Sequence, residues 1–267
     1  YEVRTTIDQR IINPIPNFLN IVDSIPPTIK SLHIYRLDSS SYANGYTRKV
    51  DFLVFRHQKE YLTNSKINAF GKIGIGIDVF DRLNNLSTQC GFKSITLSVN
   101  NKVVYNLVLD KFSFAEGRYV NSVIDYVTRY NTGKEIIKFF AEPCNFFSGL
   151  RGLYNNGYLT IQPDSLYKIE IQVTDASGNL SKLSFNINGI NPQVKPEPFK
   201  VKENAILLSC MMDNTIINDT FILQIPKFSF YNNLYFEHSC ISSNLYKYSA
   251  LIHLHNPQTP LHQKINL

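Results

Sequence analysis

Short strand-like segments joined by tight turns constrain this sequence most. Apolar and polar side chains alternate with a period of two over Ser94–Val99, and an apolar-rich run returns over Val103–Leu109 after Asn100-Asn101. Asparagine tolerates the positive φ that a two-residue hairpin turn requires. The pattern therefore predicts an antiparallel hairpin at residues 94–109.

A second hairpin is predicted further along the chain. Tyr167–Val173 alternates, Asp175–Asn179 provides turn residues, and Leu180–Ile187 returns with apolar side chains on one face. Further strands are predicted at Tyr158–Ile161, Ile206–Leu208 and Thr220–Ile225. Strands of this length and spacing predict a mainly all-β fold, with an Ig-like antiparallel β-sandwich followed by a second β-rich unit. The sequence leaves open whether that second unit is complete.

One segment has helical rather than strand periodicity. Within Tyr119–Tyr130, five apolar side chains recur at helical spacing on one face. They are Tyr119, Val120, Val123, Ile124 and Val127. The spacing predicts a single amphipathic helix that buries this face.

Proline-containing segments suggest the domain boundaries. Asn13-Pro14-Ile15-Pro16 interrupts the start of the chain, and Pro192, Pro196 and Pro198 interrupt a later stretch. Because proline disfavours regular structure in the residue before it, we treat these stretches as linkers. The predicted organisation is an entry segment at 1–22, a sandwich at 23–190, a linker at 191–198 and a second β unit at 199–267.

Composition restricts the class of protein. Of the 267 residues, 43% are hydrophobic and 18% are charged, which is typical of a globular chain. The net charge is +6, but the basic residues are scattered singly, so no nucleic-acid partner is expected. No apolar run is long enough to predict a transmembrane segment.

The four cysteines are widely separated, at positions 90, 144, 210 and 240. None belongs to a Cys-x-x-Cys pair, which argues against a zinc ribbon or a thioredoxin-like site. Their spacing favours buried free thiols, and a disulfide is the alternative in an oxidising compartment.

His253 and His255 form the sharpest candidate metal site. Two histidines at i and i+2 of a strand face the same side and can bind one zinc ion, with His238 or His262 as a third ligand. However, Asn256-Pro257 ends the strand at once, and no nearby acidic residue is available to orient an imidazole. We expect no metal ligand here.

Other motifs also have structural explanations. Gly71, Gly74 and Gly76 alternate with isoleucines and lack a following Lys-Ser/Thr, so a strand is predicted rather than a phosphate loop. Asp175 and Asn179 are best explained as turn residues. Calcium binding by Asp78 with Asp81, or by Asp175 with Asn179, remains an alternative, although neither pair resembles an EF-hand loop.

The chain is rich in aromatic residues, with 16 tyrosines and 18 phenylalanines. Many lie in strand-like segments, where a sandwich core would use them. Examples are Phe52, Phe55, Phe228, Phe230 and Tyr235. Core packing is therefore predicted, and a carbohydrate- or peptide-binding platform is the alternative.

The beginning of the sequence indicates a fragment. Residue 1 is Tyr, and the only methionines are Met211 and Met212. Tyr1-Glu2-Val3-Arg4, followed by Ile11-Ile12-Asn13-Pro14, resembles the end of the catalytic domain in lysostaphin/LytM-type zinc metalloendopeptidases. In that family a His-x-His motif directly precedes such a segment, so the resemblance implies that this chain begins just after that motif.

Later blocks resemble the Ig-like module appended to long envelope members of the same family. These blocks occur in the expected order along the chain. They are Asp23–Ile29, Leu32–Tyr35, Gly71–Asp81 and Asp175–Ser181.

The resemblance implies that the parent protein is a zinc metallopeptidase that hydrolyses peptidoglycan cross-bridges. In the family, two histidines and an aspartate hold the zinc, and zinc activates the attacking water. No segment of this chain matches the motifs that carry those ligands. We therefore expect no catalytic, cofactor-binding or metal residue here, zinc only in the parent's catalytic domain, and no activity from this chain alone.

The resemblance also implies a role, a partner and a location. This chain would position or regulate its own upstream catalytic domain in the cell envelope, in the periplasm or at the outer membrane, with peptidoglycan or an envelope protein as a further partner. The alternative is an Ig-like envelope binding or scaffold module without enzyme activity that recognises cell-wall glycan or a partner protein.

Overall fold

The fold is all-β, as predicted. A computed structural model describes residues 3–13, 21–193, 199, 201–241 and 251–267. The first strands are β1 (Ile11–Ile12), β2 (Thr28–Arg36), β3 (Tyr42–Ala43), β4 (Lys49–Leu53), β5 (Phe55–His57), β6 (Glu60–Leu62), β7 (Ile67–Phe80), β8 (Ser94–Val99), β9 (Lys102–Val108), β10 (Lys111–Phe112), β11 (Ile136–Lys138) and β12 (Leu150–Arg151). The later strands are β13 (Leu159–Ile161), β14 (Leu166–Thr174), β15 (Leu180–Gly189), β16 (Ile206–Leu208), β17 (Asn214–Ile217), β18 (Ile222–Ile225), β19 (Leu234–Phe236), β20 (His238–Ile241) and β21 (Leu251–Leu254).

The long strand β7 joins the two layers of a sandwich. Its first residues, Ile67–Ala69, run parallel to β15, whereas Ile73–Phe80 runs antiparallel to β2. One layer therefore contains β4, β2, β11 and β13, and the other contains β15, β14, β8, β9 and β12. Inward-facing apolar side chains from both layers form one core.

Both predicted hairpins are confirmed. Strands β8 and β9 pair up to Val99 and Lys102, and the intervening Asn100 and Asn101 have φ values of 50° and 66°. Strands β14 and β15 pair along their length around the turn at 175–179. The strand predictions at 158–161, 206–208 and 220–225 correspond to β13, β16 and β18.

The single helix predicted at 119–130 is wrong. The structure has a 3-10 helix at Phe114–Tyr119 and α-helices at Val120–Val123 and Tyr126–Thr132, separated by extended Ile124. Ile124 forms a β-bridge with Ile137, which is incompatible with helical backbone. Val120 and Val127 are about half exposed, so the predicted apolar face is divided. A short 3-10 helix also spans Asn155–Gly157.

The second unit has its own small core. Three antiparallel pairs, β16–β19, β17–β18 and β20–β21, surround buried Leu208, Phe221 and Leu223. Of the predicted boundaries, Pro14–Pro16 and residues 194–198 of the linker lie outside the described residues, so these boundaries remain predictions.

The free-thiol prediction is wrong for two cysteines. Cys144, from the sandwich part of the chain, forms a disulfide with Cys210 of the second unit. Cys90 and Cys240 are free, but neither is buried as predicted, because Cys90 is half-buried and Cys240 is exposed. Because chain folding brings together residues 66 positions apart, their sequence spacing carried no information about this pairing.

Tyr105 gives a first testable prediction. Its side chain is fully buried, and its hydroxyl has no hydrogen-bond partner among the described residues. An unpaired buried hydroxyl is destabilising, so Tyr105→Phe should raise the free energy of unfolding by about 1 kcal/mol in urea denaturation. Tyr158→Phe is the matched control, because the Tyr158 hydroxyl donates to the Ala141 carbonyl at 2.8 Å and its loss should destabilise. A destabilised Tyr105→Phe variant would contradict the prediction.

Candidate functional site

Three aspartates from distant parts of the chain meet at one end of the sandwich. Asp23 precedes β2, Asp81 follows β7, and Asp175 begins the turn between β14 and β15. One carboxylate oxygen of each lies within 4.8 Å of the other two. We call these three residues the aspartate cluster.

The aspartate cluster concentrates negative charge in a buried place. Asp81 is 3% exposed and Asp175 is fully buried. None of the three forms an ion pair with a basic side chain in the described part of the chain. Burial raises the pKa of Asp81 to about 6; a hydrogen bond from the Arg82 backbone opposes this shift, and the charges of Asp175 and Asp23 add to it. The protein therefore holds this carboxylate in surroundings that disfavour its charge.

Hydrogen bonds fix two of the three carboxylates. Asp175 Oδ1 accepts from the backbone N–H groups of Ser177 and Asn179, each at 2.8 Å, and its Oδ2 accepts from Asn179 Nδ2 at 2.8 Å. The turn role predicted for Asp175 and Asn179 is thus confirmed.

Asp23 is held in a similar way by its own neighbourhood. Its Oδ1 accepts from the backbone N–H groups of Ile25 at 3.2 Å and Asn84 at 3.1 Å. Asp81 differs, because its Oδ1 has no hydrogen-bond partner among the described residues.

The sequence-based acidic pairs are only partly reproduced. Asp78 does not join Asp81, and it lies instead 3.9 Å from the Lys30 ammonium. Asp81 and Asp175, considered separately in the sequence, come together with Asp23, which sequence reasoning missed as a ligand. Asp23 does open a block of the family resemblance, but only the fold places it beside the other two.

The histidines do not assemble into a zinc site. His255 follows β21 with a positive φ of 48°, its ring stacks on Phe236, and its Nε2 lies 2.9 Å from Thr259 Oγ1. His262 stacks on Tyr119 with ring centroids 4.2 Å apart. Within the described residues, no group of three or more potential ligands includes a histidine.

A hydrogen-bonded chain of Ser31, His33 and Asp51 was not anticipated. His33 Nε2 lies 2.8 Å from Ser31 Oγ, and its Nδ1 lies 2.7 Å from Asp51 Oδ1. The connectivity is that of a serine-hydrolase triad. However, Ser31 lies within β2 between β4 and β7, rather than at the exposed turn typical of such nucleophiles, and the Asp51 side chain is 62% exposed. Burial lowers the pKa of His33, so the network satisfies a neutral buried histidine.

The predicted placement of the aromatic residues holds only in part. Phe52 and Phe230 are buried as expected, whereas Phe55 is 40% and Tyr235 50% exposed. The glycine-rich stretch at 71–76 lies within β7, as predicted.

A cleft separates the sandwich from the second unit. Its volume is about 430 Å³, and its walls include Arg48 and Tyr126 on one side and Tyr231 and Pro260 on the other. Besides the disulfide, contacts across this boundary include a hydrogen bond from the Cys144 N–H to the Tyr231 carbonyl at 2.9 Å. The two walls of the cleft are therefore held together covalently and by backbone pairing.

The start of the chain pairs with the segment that follows β9, in a two-stranded sheet separate from the sandwich. Strand β1 pairs with β10, aligning Ile11 with Phe112 and Ile12 with Lys111. The Lys111 ammonium also lies 2.6 Å from Asp8. Of the segment that resembles the end of a catalytic domain, Tyr1, Glu2 and Pro14 lie outside the described residues.

Comparison with known proteins gives one partial similarity. Residues 205–267 match the family model of a Zu5-like domain, which covers most of the second unit. No curated protein and no solved structure matches the chain. The described residues contain no helix that is long and apolar enough to span a membrane.

Proposed function

We propose that this chain is the non-catalytic, Ig-like part of a cell-envelope zinc metalloendopeptidase that hydrolyses peptidoglycan cross-bridges. Its role is to hold the catalytic domain in a defined position. The resemblance of residues 1–14 to the end of such a domain, followed by the ordered Ig-like blocks, motivates the assignment.

The attachment of the entry segment carries this proposal. Strand β1 pairs with β10 in a two-stranded sheet of their own, in which Phe112 of β10 packs against the sandwich core, and the Asp8–Lys111 ion pair adds a second contact. A domain joined through a flexible linker would sample many orientations. In contrast, an entry segment that pairs with another strand would hold the preceding catalytic domain in a defined orientation.

The disulfide supports a location in the cell envelope. Structural disulfides persist in oxidising compartments such as the periplasm and the cell surface, and they are rare in the cytosol. The Cys144–Cys210 bond, with both sulfurs buried, is therefore consistent with the proposed location.

Reading the genomic sequence upstream of Tyr1 tests the family assignment. We expect a His-x-His motif directly before Tyr1 and a His-x-x-x-Asp motif further back. The longer protein should bind about one zinc ion and release soluble fragments from purified peptidoglycan. Absence of both motifs would rule out the peptidase assignment.

The cleft favours binding of an anionic wall polymer as a second candidate function. Arg48 is exposed and lines the cleft, half-buried Tyr126 provides aromatic surface, and the overall charge is +6. If this cleft binds the polymer, the full chain should co-sediment with purified cell wall, and Arg48→Glu should reduce the bound fraction about threefold or more. Arg56→Glu, on an exposed strand outside the cleft, is the matched control. Equal binding by both variants would exclude the cleft.

A further inference from the structure

We propose that the aspartate cluster of Asp23, Asp81 and Asp175 binds one calcium ion. This ion would connect the segment before β2, the end of β7 and the β14–β15 turn. The inference does not depend on the proposed function, because it rests only on residues inside this chain.

The spacing of the carboxylates suits a single cation. Calcium binds oxygen ligands at about 2.4 Å, so two oxygens on opposite sides of one ion lie about 4.8 Å apart. One oxygen from each of the three aspartates lies within 4.8 Å of the others. This spacing lies within the limit for three ligands of one calcium ion, so small movements of the side chains are enough to bring all three oxygens to a single ion.

Asp81 provides an independent indication of a ligand. Its side chain is almost completely buried, and its Oδ1 has no hydrogen-bond partner among the described residues. A buried carboxylate oxygen without a donor is energetically unfavourable, and such atoms call for a specific explanation. A bound cation would both complete the coordination of this oxygen and neutralise the surrounding charge.

The other two aspartates retain coordination capacity. Asp175 Oδ1 accepts two hydrogen bonds, whereas its Oδ2 accepts one, from Asn179 Nδ2. Both backbone donors of Asp23 use its Oδ1, whereas its Oδ2 has only a long contact of 3.5 Å with Asn179 Nδ2. Each carboxylate thus keeps one oxygen, Oδ2, that accepts no more than one short hydrogen bond and can also bind a cation.

Asn179 lies beside the aspartate cluster, where its side-chain amide could provide a further oxygen ligand. Its Nδ2 lies 3.1 Å from the Asp23 carbonyl and 2.8 Å from Asp175 Oδ2, so its amide bridges two of the three segments. An amide group carries a donor and an acceptor end, and a half-turn of this side chain would present its oxygen instead. The neutral amide cannot neutralise three carboxylates, whereas a divalent cation would do so in large part.

The chemistry of the ligands selects the ion. All the available donors are oxygens, and neither histidine nor cysteine contributes to the group, which disfavours zinc. Magnesium requires near-ideal octahedral geometry at about 2.0–2.1 Å and retains several waters, which a buried cluster of carboxylates does not accommodate well. Calcium tolerates irregular oxygen coordination and is the preferred candidate.

Thermal unfolding of the chelator-treated full chain tests the proposal. Ligands that bind only the folded state raise its stability, so 5 mM CaCl2 should increase Tm by about 5–8 °C if Kd is about 0.1 mM. Calorimetric titration should give about one site, and 5 mM MgCl2 should give less than half of the calcium shift. No heat and no shift in Tm with calcium would overturn the proposal.

The Asp81→Asn variant distinguishes an effect on calcium binding from an effect on the stability of the calcium-free protein. The change removes a buried charge, so without calcium the variant should be at least as stable as the wild type, but it should lose most of the calcium-induced shift in Tm. Asp78→Asn is the matched control near the end of β7, because Asp78 lies outside the cluster and its variant should keep the full shift. If Asp81→Asn does not fold, Asp23→Asn provides the same test on a half-buried residue. A normal calcium response in both cluster variants would refute the assignment.

Discussion

Replacing both Cys144 and Cys210 with alanine should lower the free energy of unfolding of the second unit by about 3 kcal/mol. This value follows from the chain entropy that a disulfide removes from the unfolded state when it closes a loop. Both cysteines lie in the core of the second unit, and while the sandwich stays folded the loop that the disulfide closes is the stretch of about 20 residues between Gly189, the end of β15, and Cys210. Because that core is small, we expect the variant's second unit to unfold at low urea concentrations while the sandwich remains folded.

Urea denaturation followed by hydrogen exchange would measure this effect for each unit separately. The matched control is Cys90→Ala with Cys240→Ala, since both are free thiols and their loss should change stability by less than about 1 kcal/mol. Reduction of the wild type should reproduce the effect of the Cys144/Cys210 variant. Equal stability of the two double variants would contradict the structural role of the disulfide.

Gly74→Val should lower the free energy of unfolding of the sandwich by about 3 kcal/mol. A Cβ atom at position 74 would lie 2.4 Å from two carbons of the Phe140 ring. Phe140 is itself buried, so the ring cannot move aside without disturbing its neighbours. Overpacking of this kind forces side chains off their rotamers and typically costs 1–3 kcal/mol or more.

A double variant shows whether the ring is the cause. Phe140→Ala removes the obstacle, so the effects of Gly74→Val and Phe140→Ala should be clearly less than additive. Gly91→Ala is the control glycine, because its added Cβ meets no atom within 4 Å and should leave stability nearly unchanged. Strict additivity in the double variant would rule out the steric explanation.

Local patterns predicted the strands and hairpins well. Asn100 and Asn101 adopt the positive φ values that their residue type allows, and the alternating segments on either side pair as expected. In such hairpins, the turn chemistry and the side-chain period act over a few residues, so the sequence contains the necessary information. The prediction of a helix at 119–130 is wrong because a contact between distant residues is decisive there. Ile124 pairs with Ile137, and this pairing overrides the local helical periodicity.

The candidate metal site could be predicted only in fragments. Asp81 and Asp175 were each recognised as possible calcium ligands, but they were paired with Asp78 and Asn179, their neighbours in sequence. The third member, Asp23, lies on a different segment and carries no local signal of metal binding. The chain of Ser31, His33 and Asp51 was missed in the same way, because Asp51 faces His33 from a neighbouring strand.

The all-β class of this protein and the positions of its main hairpin turns can be predicted from the amino-acid sequence alone. These features depend on the alternation of side chains and on the φ preferences of turn residues. Both are local properties, because they involve only residues that are close together in the sequence. Which aspartates lie together, and that Cys144 pairs with Cys210, depends instead on tertiary packing. Such contacts depend on how strands from distant parts of the chain are ordered and packed, and spacing along the sequence does not specify that arrangement.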